Sequence, residues 1–210
     1  MAEKILANAS PEKRLFVYLI TRDISLGDAI LDLIDNSINA ALQPLASHLK
    51  TADDYQNFAA DTASKPTVNI DLTVGSARIL IRDTAPGISA KAAETDIFRF
   101  GRGDSSSHES DRLSVYGISL KRAMFKCGNK IEMVSDHREG GFELKLNART
   151  WERLPQDRWS FEITPRPPAT SGYGTRVLIT ELYDDVVRRL DDGFFWRSYE
   201  KGSPERIRSL

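Results

Sequence analysis

The sequence predicts an α+β domain, a two-layer sandwich of helices on one mixed, mainly antiparallel sheet. Two observations carry this. Up to Pro44 the apolar residues recur at helical spacing, as at Leu26, Ile30, Leu33, Ile34 and Ile38. From residue 67 onward short alternating runs take over, such as Val68, Ile70, Leu72 and Val74, broken by glycine-containing turns. Helices come first and antiparallel-looking strands follow.

The elements read in order as follows. Ser10-Pro11-Glu12 has the form of an N-cap with proline at the first helical position, opening a helix that runs to about residue 21. Ser25-Leu26-Gly27-Asp28 is a capping box with Asp in place of Glu, and the helix it opens stops before Pro44. Residues 45–66 are polar without a clear period, a partial helix or a loose insertion. Residues 67–74 form a strand, Gly75-Ser76 a turn, and residues 77–82 the returning strand. Residues 89–99 read as a helix. The segment 101–111 is Gly- and Ser-rich, the composition of a mobile loop. A helix over 115–125 ends at Gly128-Asn129. Strands follow near 130–136, 141–148, 159–164 and 175–181, the first two joined by Gly140-Gly141. Residues 183–200 turn helical again, and no internal repeat is present.

The bulk properties set bounds. A chain of 210 residues suffices for one domain with a proper core. Its 29 basic and 30 acidic residues give a net charge of −1, with no global pull toward nucleic acid or an acidic membrane. Cys127 is the only cysteine, so no internal disulfide can form, and a reducing, cytoplasmic setting is expected. The longest strongly apolar run, Leu15 to Ile20, is far too short to span a bilayer, and residues 1–10 lack the pattern of a secretory signal. The histidines and the cysteine lack the spacing of a zinc site.

The polar residues of the second helix, Asp28, Asp32, Asp35, Asn36 and Asn39, make a narrow stripe beside a wide apolar face. Asp32 and Asn36 are four apart and therefore neighbours on one side. A carboxylate and a carboxamide so held suit a metal ion and a water. Asp83-Thr84-Ala85-Pro86-Gly87 follows one strand-like run, and Gly174-Thr175 opens another. The order and spacing of these three segments resemble the GHKL ATPases: gyrase-type topoisomerases, the ninety-kilodalton heat-shock chaperones, histidine kinases and MutL-type proteins, with the MORC ATPases in the same group. The chain is closest in style to the MutL, MORC and chaperone members.

The resemblance implies the Bergerat ATP-binding fold over residues 1–182, with a lid at about 101–116 and a C-terminal helical extension over 183–210, of the kind that leads into a further domain. It implies ATP and Mg2+ as cofactors. Asp32 would be the general base for the attacking water, one methylene shorter than the family's usual Glu, so that hydrolysis would be slow. Asn36 would hold the magnesium, and Asn39 would support the site one turn on. Asp83 would accept a hydrogen bond from the adenine amino group, which guanine does not offer. Gly87 keeps the turn that the motif needs, while Ala85 replaces a family glycine. In the phosphate-binding run before the next helix only Gly117 survives, with serines including Ser119 at the other glycine positions. Lys121 would add a point charge to the phosphates. Arg102, Arg112 and the serines at 105–107 would be lid contacts. Thr175 would support Asp83.

The implied function is magnesium-dependent ATP binding with slow hydrolysis, driving a conformational switch. Family members commonly dimerise, so an ATP-dependent homodimer is an implied partner, together with a protein or DNA client and no membrane. Two alternatives stay open. The short Asp32 and the lost glycines favour a non-hydrolysing nucleotide sensor. A histidine-kinase catalytic domain is less favoured, because the stretch before the first motif holds no histidine.

Overall fold

The computed structural model describes residues 7, 10–42, 69–75, 77–100 and 118–191. Two helices come first, α1 (Lys13–Thr21) and α2 (Leu26–Leu42). Strands β1 (Ile70–Gly75) and β2 (Arg78–Asp83) follow. Next is α3 (Ala90–Ala92), which continues as a π-helical turn over Ala93–Ile97. Then come α4 (Ser119–Cys127), β3 (Gly128–Asp136), β4 (Phe142–Asn147), α5 (Ala148–Glu152), β5 (Ile163–Pro165), β6 (Gly174–Leu182) and α6 (Asp184–Asp191).

The strands form one sheet in the order β1-β2-β6-β3-β4-β5, and every pairing in it is antiparallel. The expected α+β sandwich is therefore present. Alternation along the central strands buries one face only: Ile79 and Ile81 of β2, Val177 and Ile179 of β6, Ile131 and Met133 of β3. The helices cover that face. Helix α2 packs along α4 and against β2, and α1 packs against α4. Leu26, Ala29, Ile30 and Leu33 on one side of α2 meet Ala123 and Met124 of α4 within the same core. Each fully buried Leu or Ile stabilises by about 1.5–3 kcal/mol.

Several local expectations hold for local reasons. The capping box at α2 is reciprocal: the Asp28 N–H donates to Ser25 Oγ at 3.1 Å, and the Ser25 N–H donates to Asp28 Oδ2 at 3.2 Å. The same helix is described as far as Leu42, and Pro44 lies outside the described residues. Others need correction. Helix α1 begins at Lys13, with Glu12 in the N-cap position and no side-chain cap, two residues later than the Ser10-Pro11 signal suggested. The strand expected at 159–164 is only the three-residue edge strand β5, and α5 was not foreseen. Gly128 does not turn the chain out of α4 but starts β3 directly, in extended backbone.

An aromatic cluster lies on the chain just before β5. Trp151 stacks on Phe125 with ring centroids 5.5 Å apart, and Trp159 and Phe161 meet Trp151 at 5.8 and 5.2 Å. Phe16 of α1 reaches Phe100 and Trp159 edge-on. Trp159 and Phe161 thus pack into the cluster just before the strand begins. Lys13, only 1% exposed, ties α1 to this cluster by donating to the carbonyls of Leu154 and Pro155 at 3.0 and 2.5 Å.

Candidate nucleotide site

Asp83, Thr175 and Ser135 lie at one end of three adjacent strands, on the face that the helices cover. Asp83 is the last residue of β2, and its carboxylate is buried with three donors around it. Oδ1 accepts the N–H groups of Ala85 (3.0 Å) and Thr175 (3.1 Å), and Oδ2 accepts the hydroxyl of Ser37 (2.9 Å). Ser37 comes from α2, so this bond fixes the helix against the sheet end. Burial pushes the Asp83 carboxyl above its ordinary value, opposed by Ser37 and by the Thr175 and Ala85 amides. The Thr175 hydroxyl is 3.0 Å from that of Ser135, which accepts the Ile88 N–H at 2.7 Å. A hydrogen-bond chain therefore runs from Asp83 through the Thr175 residue to the loop after β2.

Two glycines make the strand ends close up. Gly87 has φ +77°, and a Cβ there would lie 2.1 Å from the Asp136 carbonyl oxygen. Gly174 has φ +147°, and its Cβ would lie 2.1 Å from the Asp83 carbonyl oxygen. Neither position accepts a side chain without backbone movement.

The stripe of α2 continues from Ser37 toward α4. Asp32 is partly buried, and Arg122 of α4 donates to its Oδ2 through Nε at 3.0 Å and Nη2 at 2.7 Å. Burial raises the Asp32 carboxyl above its ordinary value. Arg122 opposes this, and the nearby charges of Asp35 and Asp28 add to it. Asn36, one turn on, turns its Nδ2 back onto the Asp32 carbonyl. Its Oδ1 accepts no hydrogen bond from the described residues. Asn39 is half-buried one turn further. No cluster of three or more His, Cys, Asp or Glu able to hold a metal occurs among the described residues.

The structure thus gathers Asp32, Asn36 and Asn39 on α2, and Asp83, Gly87 and Thr175 at the sheet end that Ser37 joins to it. Ser119 opens α4. Lys121 is turned away from the stripe. Its ammonium is buried, donates to the Ile97 carbonyl at 2.7 Å and sits 5.4 Å from the centroid of the Phe100 ring. Gly117, Arg102, Arg112, the serines at 105–107, the lid at 101–116 and everything after Asp191 lie outside the described residues.

Three side chains of this site escaped the sequence reading: Ser37, Ser135 and Arg122. Ser37 left a signal, since it continues the Leu26, Ile30, Leu33 series at the same three- and four-residue steps. A lone hydroxyl in a buried stripe asks for a partner. Ser135 and Arg122 left none, because their partners are 40 and 90 residues away in sequence.

The profile of the family described as "Histidine kinase-, DNA gyrase B-, and HSP90-like ATPase" matches residues 24–169, well over half of the chain. The match takes in α2, Asp83 and α4. The chain belongs to this GHKL-type ATPase family and carries its ATP-binding module. No curated protein matches it. No helix among the described residues is long and apolar enough to cross a membrane.

Proposed function

We propose that the chain binds ATP with magnesium between α2 and the sheet end, hydrolyses it slowly, and uses the cycle as a conformational switch. The observation that carries this is Asp83. A buried carboxylate held by three donors has its orientation fixed and keeps a lone pair for one more. The adenine amino group is the donor that the family assignment supplies. Gly87 gives the loop its close approach, and Thr175 supports the acid from β6.

Asn36 Oδ1 fits a magnesium ion that also binds the phosphates, with Asn39 in support. The ion, when bound, neutralises phosphate charge. Asp32 takes a proton from water. The water oxygen bonds to the γ-phosphorus as the bond from that phosphorus to the bridging oxygen breaks, giving ADP and phosphate. Ser119, at the start of α4, and Gly117 and Arg102, in the lid segment, complete the phosphate contacts in this reading. Lys121 is left out of them because its ammonium is engaged at Ile97. ATP-dependent pairing of two copies and a protein or DNA client belong to this reading by family analogy alone, and a cytoplasmic setting by the single cysteine.

Calorimetry and phosphate release, measured separately, test the two halves. Asp83→Asn loses a charged acceptor and sets an amide against the Ala85 and Thr175 N–H groups. Its ATP affinity should fall by about 10- to 100-fold. Asp32→Asn should keep binding and lower turnover by about 10²- to 10⁴-fold. Unchanged affinity in the first would refute the adenine role, and unchanged turnover in the second would refute the base. One observation favours the non-hydrolysing alternative: the short Asp32 already has one oxygen engaged by Arg122. Wild-type ATP binding with no phosphate release above the protein-free background would establish it.

A further inference from the structure

We infer that Arg122 is a positioning residue for hydrolysis, gripping one oxygen of Asp32 at two points so that the other is the oxygen presented to water. This rests on the ATPase reading above. A carboxylate turns easily about its last torsion, so a short Asp has no preferred oxygen of its own. Arg122 removes that freedom. Both of its contacts, Nε at 3.0 Å and Nη2 at 2.7 Å, fall on Oδ2. This is not the fork-on-fork pairing that would occupy both oxygens. Oδ1 receives no hydrogen bond from the described residues and keeps its lone pairs for a proton.

The grip is anchored at both ends. Arg122 lies in the first turn of α4, where its N–H donates to the Ile118 carbonyl at 2.8 Å, and α4 packs along α2. The Asp32 side chain is 16% exposed and that of Arg122 37%, so the arginine is half in solvent while the acid faces inward. Asp in place of Glu makes the orientation matter more, because the shorter acid has less reach with which to correct a wrong angle. Lysine would replace the charge with one point contact but not the two-point grip.

The test is steady-state ATP hydrolysis by the full chain in four variants. Arg122→Gln should lower kcat by about 10- to 100-fold with KM changed less than about threefold, as expected when a reacting group is misplaced and binding is spared. Arg122→Lys should recover part of the loss. Asp32→Asn with Arg122→Gln should be no slower than Asp32→Asn alone, because an arginine that acts through the acid has nothing left to act on. Unchanged or faster turnover in Arg122→Gln, or additive losses in the double variant, would overturn the inference. Calorimetry separates the two levels. No Mg-ATP binding by wild type sinks the ATPase reading itself. Binding without turnover leaves that site standing and overturns the role of Arg122.

Discussion

Lys121 is the residue whose surroundings conflict most with its chemistry. Burial pushes its amine from an ordinary 10.5 down to about 8. The Ile97 carbonyl and the Phe100 ring hold the ammonium while it is charged. In the unfolded chain the amine titrates near its ordinary value, so between pH 8 and 10.5 the unfolded state holds a proton that the folded state lacks. The Lys121 contribution to stability therefore rises with pH across that window, by about 3 kcal/mol, and its penalty is constant below it. The buried Cys127 thiol, pushed up to about 12, acts in the opposite sense above pH 9, so urea unfolding at the two ends should show wild type gaining stability relative to Lys121→Met across the window. An equal rise in both proteins would place its source elsewhere. Lys121 and Arg122 also mark a limit of sequence reading. Both cations were visible on the helix, but adjacent helical residues point about 100° apart. Which of them faces Asp32 is decided by how α4 packs on α2. The acid, the amide and Asp83 were legible because their spacing is local or follows a strand end.

At the scale of elements, the loop after β2 depends on Gly87. A methyl group there meets the Asp136 carbonyl at 2.1 Å in a left-handed backbone. Gly87→Ala should cost more than about 2 kcal/mol, since the conformation alone costs an L-residue about 1–2 kcal/mol before the clash. It should also weaken ATP binding, because the same loop carries the Ala85 N–H that holds Asp83. A thermal melt and a binding isotherm read both effects: an unchanged melt would refute the clash, and unchanged affinity would separate the loop from the site. Element limits were legible where the signal was local, as in the Ser25–Asp28 box. They were not where distant contacts decide. Helix α1 starts where Lys13 and Phe16 dock on the aromatic cluster, not where Ser10 would cap it. β5 is only three residues long, and the Trp159 and Phe161 rings before it join that cluster.

For the whole molecule, the sheet order is what brings the site together. β6, the last strand in sequence, lies between β2 and β3, and this alone puts Thr175 beside both Asp83 and Ser135. No local pattern encodes such an insertion, so the fold class was legible and the strand order was not. One consequence is global. A ligand that bridges α2 and the end of three strands binds only the folded chain, so its binding free energy adds to stability. At Mg-ATP 100 times above its dissociation constant the gain is about 2.7 kcal/mol. For a domain of this size that corresponds to a rise of about 5–10 °C in Tm. Mg-GTP at the same concentration should give a much smaller rise, because a guanine carbonyl would face the Asp83 carboxylate where adenine offers a donor. Asp83→Asn should bring the two nucleotides closer together, since an amide can turn either its oxygen or its nitrogen toward the base. Equal shifts with ATP and GTP in the wild-type chain would show that the nucleotide is held by its phosphates alone, and Asp83 would lose its part in choosing the base.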